Sequence, residues 1–175
     1  MSILRARVLT VSDRCSRGDA IDTAGPAVAA WLSGQLQLTV DPVSCVPDEC
    51  DEVAQILRAW GDESPAPNLV VTVGDTGLAL RDVTPEATLS VLDRVHPGIV
   101  ELMRARCGEH HPRAYLSRAV AGAIGRTLVV NLPGSERGAV ESLDAIIDIL
   151  PHAIGLLSGR DTDCGSCTAA KGGAP

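Results

Sequence analysis

The sequence predicts an α/β domain built as three layers, with a mostly parallel central sheet covered on both faces by helices. Residues 7–11, 69–73 and 127–131 are short, near-continuous apolar runs, the pattern of strands buried on both faces. Amphipathic helical stretches separate them, as the crossovers of a parallel sheet require. The runs end in the polar or glycine-bearing loops Ser12-Asp13-Arg14, Gly74-Asp75-Thr76-Gly77 and Leu132-Pro133-Gly134-Ser135. Ligands of open α/β sheets bind at this carboxyl edge.

Residues 7–11 make the first strand. Pro26 then sets a first helical position, Val28, Trp31 and Leu32 share a face, and Gly34 ends the helix. Residues 38–46 alternate in polarity, but Pro42 removes a donor from the middle, so an edge strand is expected. Asp48 can cap the next helix, where Val53, Ile56, Leu57 and Trp60 fall at i, i+3, i+4 and i+7. A polar connection over 62–68 leads to 69–73, the clearest buried strand. Thr84-Pro85 reads as N-cap and first turn of a helix, with Thr88, Val91 and Leu92 on one face. His96-Pro97-Gly98 interrupts before a helix over about 99–107, and 127–131 forms the last strand. Val140, Leu143, Ile146, Ile147 and Leu150 make a final stripe that Pro151 restarts or kinks. There is no internal repeat. One domain is expected over 1–158, followed by a small-residue tail over 159–175 that is expected to be flexible.

Composition narrows the function. Of 175 residues 45% are apolar and 21% charged, which predicts a packed globular domain. The net charge of −7, without a block of like charges, argues against nucleic acid or an anionic membrane as partner. Trp31, Trp60 and Tyr115 are the only aromatics, too few for a base-stacking platform. The single lysine, Lys171, lies in the tail. A Walker-type phosphate loop and a Schiff-base lysine are therefore excluded from the domain. No segment reads as a signal or a span, so a cytoplasmic protein with reduced cysteines is expected.

The candidate residues gather after the strands. Gly74 to Gly77 sits where a backbone cradle for phosphate would sit, although an ordinary turn has the same composition. Asp48 and Asp82 are candidate Mg²⁺ ligands, since Mg²⁺ takes one or two carboxylates plus substrate phosphates. Asp48 equally reads as a helix cap and Asp82 as a solvated loop acid. Ser117 and Arg118 suit a hydroxyl donor and a phosphate partner. Asn131 can bond a ligand or its own turn. Cys164 and Cys167 have metal or redox spacing, with Cys107 and His110 as conceivable further zinc ligands.

Taken together, Thr10-Val11-Ser12-Asp13-Arg14, Pro47-Asp48-Glu49, Gly74 to Gly77, Arg81-Asp82-Val83-Thr84-Pro85-Glu86-Ala87-Thr88, Leu116-Ser117-Arg118 and Asn131-Leu132-Pro133-Gly134-Ser135 resemble the MogA/MoaB molybdenum-cofactor family in order and spacing. The resemblance covers residues 5–158. It implies that fold and a trimer or a dimer of trimers. It also implies adenylyl transfer with Mg²⁺, in which the molybdopterin phosphate attacks the α-phosphate of ATP. Adenylyl-molybdopterin would pass to a molybdate-inserting enzyme, and pyrophosphate would leave.

Carried onto matching positions, the resemblance implies Asp48, Asp82 and Ser117 as catalytic. It implies Ser12, Asp13, Gly74, Asp75, Thr76, Gly77, Arg81, Arg118, Asn131, Pro133, Gly134 and Ser135 as substrate-binding. One position departs. The family loop reads G-G-T-G, and here its second glycine is Asp75. A carboxylate there either repels phosphate or attracts Mg²⁺. A non-catalytic molybdopterin-binding paralogue is the alternative that this departure favours.

Overall fold

The computed structural model describes residues 4–160. Its elements are β1 (Arg5–Val11), a one-turn helix α1 (Asp13–Ser16), α2 (Ala24–Gln35), β2 (Thr39–Val40), β3 (Ser44–Val46), α3 (Cys50–Gly61) and β4 (Leu69–Val73). Then follow α4 (Thr84–Leu89), β5 (Arg94–Val95), α5 (Pro97–Gly108), a 3₁₀ turn (Pro112–Leu116), β6 (Ala121–Ile124), β7 (Thr127–Leu132), α6 (Glu136–Ile146) and α7 (Leu150–Ser158). The Cys164–Cys167 pair, Lys171 and most of the expected tail lie outside the described residues.

The strand order is β2-β1-β4-β7-β6-β5, with β3 also paired to β1. β1, β2, β3, β4 and β7 run parallel, whereas β6 and β5 are antiparallel. Thr10 is in register with Val73, and Val73 with Leu132. The carboxyl ends of β1, β4 and β7 therefore finish side by side, and the loops that follow them share one edge.

Alternate residues of β4 serve opposite faces. Val71 and Val73 join a core with Val28, Leu32, Leu143 and Ile154. Val70 joins the other core with Val53, Leu57 and Trp60 of α3. Each fully buried side chain of this size contributes about 1.5–3 kcal/mol. This two-sided burial is why the strand sequences are continuously apolar.

The expected edge strand is two pieces. β2 pairs with Arg5 and Ala6, β3 with Leu9 to Val11, and Pro42 falls in the break. Asp41 in that break binds Arg5 and Arg7 at 2.7 and 2.9 Å, and Arg7 lies over the Trp60 ring. Two expected caps are corrected. Glu49, not Asp48, occupies the N-cap of α3, because the Asp48 side chain turns away to accept from Asp13 N at the start of α1. Val83, not Thr84, precedes α4, and Thr84 Oγ1 is buried with no hydrogen-bond partner. α4 also stops at Leu89, so Val91 reaches its core from beyond the helix. The final stripe is two helices, with Pro151 in the first turn of α7. β5 and β6 are elements without a counterpart in the sequence expectation. Among the described residues, no helix is long and apolar enough to cross a membrane.

Candidate active site

The loops after β1, β3, β4 and β7 enclose a cleft of about 300 Å³, lined by Ser12, Asp22, Asp48, Gly74, Asp75, Asp82 and Gly134 among others. Ser12 caps α1 by accepting from Cys15 N at 3.3 Å. The next residue begins a reciprocal clasp. Asp13 N donates to Asp48 Oδ1 at 3.0 Å, and Asp48 N donates to Asp13 Oδ1 at 3.2 Å. Arg81 closes it from the third loop, with Nε and Nη2 donating to the two Asp13 oxygens at 3.1 Å each and Nη2 to Glu49 at 2.6 Å. The guanidinium holds the Asp13 carboxyl below its ordinary range, whereas burial and then the Asp13 charge push Asp48 upward.

The cradle loop needs unusual backbone. Gly74 has φ +115°, and a Cβ there would run into Val11 O. Asp75 has φ +58°, a left-handed conformation that aspartate tolerates better than most residues. Its Oδ2 accepts from Val83 N at 2.6 Å. Burial raises the Asp75 carboxyl to about 7 against the pull of that N–H, with Asp82 and Asp48 adding to the rise. Asp82 Oδ2 accepts from Ala79 N at 2.9 Å. A Cβ on Gly77 would sit 2.7 Å from that same oxygen. Thr76 within the loop is buried.

A second cleft, of about 360 Å³, opens between α5, the 3₁₀ turn and α6. Arg104, Arg113 and Arg137 bring positive charge, with Glu141 the single acid in its lining. Ser117 faces this cleft and not the acidic one. Its Oγ accepts from Ala119 N at 3.2 Å, and its carbonyl accepts from Arg104 Nη1 at 3.3 Å. Pro133 and Ser135 line the basic cleft while Gly134 lines the acidic one. The loop from β7 to α6 is thus the wall between them, and Ser135 caps α6 through Gly138 N at 3.2 Å.

Three expected ligand residues are committed elsewhere. Asn131 is wholly buried. Its amide donates to Thr72 and Thr88 at 2.8 and 2.9 Å and accepts from Val120 N at 3.1 Å. It ties β7 to β4 and α4 and leaves no group for a ligand. Arg81 is occupied by Asp13 and Glu49 as above. Arg118 grips the 76–86 loop through Gly77, Asp82 and Glu86. Asp22 was absent from the expected set, yet it lines the acidic cleft. It accepts from Thr10 Oγ1 at 2.6 Å and Gly25 N at 3.0 Å. The signal is its spacing, an acid three residues before a glycine amide at a helix start.

Among the described residues, no three His, Cys, Asp or Glu side chains gather to hold a metal unaided; a zinc set joining Cys107 and His110 to Cys164 and Cys167 falls partly outside those residues. Asp48 and Asp82 on one cleft fit Mg²⁺, which completes its shell with water and phosphate oxygens. The four described cysteines are free thiols.

Residues 7–152 match the family model described as a probable molybdopterin binding domain. The chain belongs to the MogA/MoaB molybdopterin-binding family. Membership places it in molybdenum-cofactor biosynthesis. A Helicobacter pylori J99 protein named molybdopterin adenylyltransferase is 39% identical, over 91% of each chain. Gephyrin of Dictyostelium discoideum is 38% identical over 87% of this chain, which spans only 22% of that longer protein. The crystal structure of the molybdopterin biosynthesis enzyme MoaB from Thermus thermophilus superposes with a TM-score of 0.84 at 46% identity. It covers 92% of this chain and all of that one.

Proposed function

We propose that the protein transfers AMP from ATP to the terminal phosphate of molybdopterin. The observation that carries this reading is the pair of adjoining clefts of opposite charge, separated by one loop. Two phosphate-bearing substrates that must meet need such an arrangement. The Asp48 and Asp82 cleft suits a metal-bound nucleotide, and the Arg104, Arg113 and Arg137 cleft suits the phosphate of the second substrate. The relatives named molybdopterin adenylyltransferase support the assignment.

The molybdopterin phosphate oxygen attacks the α-phosphorus of ATP, the new P–O bond forms, and the bond to pyrophosphate breaks. Attacking and leaving groups are both phosphates, so the chain supplies no covalent nucleophile. Its residues position and neutralise. Asp48 and Asp82 would hold Mg²⁺, which when bound offsets the charge of the triphosphate. Gly74 and Gly134 let backbone approach the substrate closely, and Ser117 presents its hydroxyl to the phosphate in the basic cleft. A homotrimer or hexamer and hand-over to a molybdate-inserting enzyme belong to the same reading.

Asp75 favours a second reading, a molybdopterin-binding paralogue without transfer. Incubation with molybdopterin, ATP and Mg²⁺ separates the two. Adenylyl-molybdopterin and pyrophosphate in equal amounts support the enzyme. Molybdopterin binding with no product supports the binder.

A further inference from the structure

Arg118 has the chemistry of a phosphate partner, but its contacts point inward. Its backbone N–H donates to Thr76 O at 2.8 Å. Nε donates to Gly77 O at 2.6 Å, and Nη2 to Asp82 O at 2.7 Å. Nη1 pairs with Glu86 of α4. These grips span the loop from β4 to α4, and two of them close on the ends of segment 77–82.

Besides Arg118, one side chain of that segment anchors it, Arg81 through Asp13 and Glu49. Leu78 and Leu80 are 66% and 105% exposed, so its large apolar side chains anchor nothing. Its own turn is a pair of bonds, Asp82 N to Ala79 O at 3.0 Å and Ala79 N to Asp82 Oδ2 at 2.9 Å. The Asp82 carboxylate is therefore oriented by the backbone of the segment, and Arg118 holds that backbone. The anchor is itself fixed, because Arg104 Nη1 donates to the carbonyls of Ser117 and Ala119 on either side of it, at 3.3 Å each. A planar guanidinium reaches two carbonyls and a carboxylate at once, which a lysine ammonium cannot match.

We propose that Arg118 is a positioning residue that fixes segment 77–82, and through it the Asp82 carboxylate, instead of binding substrate phosphate. The role of Asp82 rests on the adenylyl-transfer reading, and the grip on the segment does not. Leu116-Ser117-Arg118 then serves both clefts, with Ser117 facing the basic one and Arg118 setting a wall of the acidic one.

The test has two arms, applied to Arg118→Ala and Arg118→Lys. In the first, amide exchange at Ala79, Asp82 and Val83 should quicken by about 10-fold or more in both variants while β4 and β7 stay protected. Unchanged exchange overturns the proposal. In the second, turnover with molybdopterin, ATP and Mg²⁺ should fall by about 100-fold, the scale of a misplaced catalytic group, with KM for ATP little changed. Arg118→Lys should fall nearly as far. Asp82→Asn combined with Arg118→Ala should be no slower than Asp82→Asn alone, since both act through one group. Multiplying effects, retained turnover in Arg118→Lys, or a raised KM with intact kcat would establish a phosphate contact and overturn the proposal. A parent chain with no transfer defeats the functional reading, and the exchange arm still decides the grip. If Arg118→Ala does not fold, Arg118→Lys carries both arms.

Discussion

The acidic cleft sits on strand ends and the basic cleft between helices, and their charged groups are held to different degrees. Asp22, Asp48, Asp75 and Asp82 each accept a backbone N–H, from Gly25, Asp13, Val83 and Ala79 respectively. In the basic cleft Arg104 is held by the Ser117 and Ala119 carbonyls, but Arg137 is 76% exposed and, among the described residues, pairs with the side chains of Glu141 and His111. Groups bound to backbone need no reorganisation when charge develops, whereas a long exposed cation retains its rotamers and adapts to what arrives. The rigid cleft suits chemistry and the adaptable one suits capture.

Asp82→Asn should break that division most severely. The amide oxygen can still accept from Ala79 N, so melting should be little changed. Turnover should fall by about 100-fold or more as a fixed charge is lost. Near-normal turnover removes Asp82 from the catalytic set. Gly74→Ala tests the rigidity itself. It forces a Cβ at φ +115° against Val11 O, and chemical denaturation should show a loss of about 3 kcal/mol. Wild-type stability would mean that the loop gives way.

Arg137→Gln probes the adaptable side. KM for molybdopterin should rise by about 10-fold with kcat retained, the pattern of lost ground-state binding. A fall in kcat instead would erase the distinction between the clefts. Stability should hardly move, because exposed i,i+4 pairs contribute only about 0.3–0.5 kcal/mol.

Asp75→Gly gives the smallest effect and carries a pH signature. With its carboxyl raised to about 7, Asp75 is mostly charged at pH 8 and mostly neutral at pH 6. Its repulsion of phosphate is present above that value and lost below it. In metal-free buffer the glycine variant should bind ATP several-fold tighter at pH 8, about 1 kcal/mol after screening, and show little gain at pH 6. Equal or weaker binding at pH 8 would defeat repulsion and leave attraction of Mg²⁺ as the role of Asp75.

What was legible in the sequence follows from which forces leave a linear trace. β1, β4 and β7 are legible because burial on two faces demands apolar residues in series. β6 is not, because Ala121-Gly122-Ala123 packs by being small. A Cβ on Gly122 would strike Arg94 O and Leu92, and close approach has no period. The two-residue turn Gly125-Arg126, with Gly125 at φ +54°, is the trace that marks this hairpin. In the site, Asp48, Asp82 and the cradle loop are legible as residue types on the carboxyl edge. The commitments of Arg81 and Arg118 are not. Their partners Asp13 and Gly77 lie 68 and 41 residues away, and a sequence displays a charge without displaying what neutralises it. Asn131 misleads for the same reason, since its three partners come from β4, α4 and the approach to β6.

The interrupted strand at Pro42 has a consequence for how copies of this chain can meet. On one side the sheet stops at β2 and β3, two and three residues long with a proline between them. On the other it stops at β5, two residues long. Neither border offers the long, flat row of unpaired amides on which a neighbouring chain could add a strand. Among the described residues, the sheet borders thus disfavour association of copies by sheet extension. Helix and loop surfaces are left for any self-association, and the same bluntness guards a very apolar set of strands against fibrous aggregation.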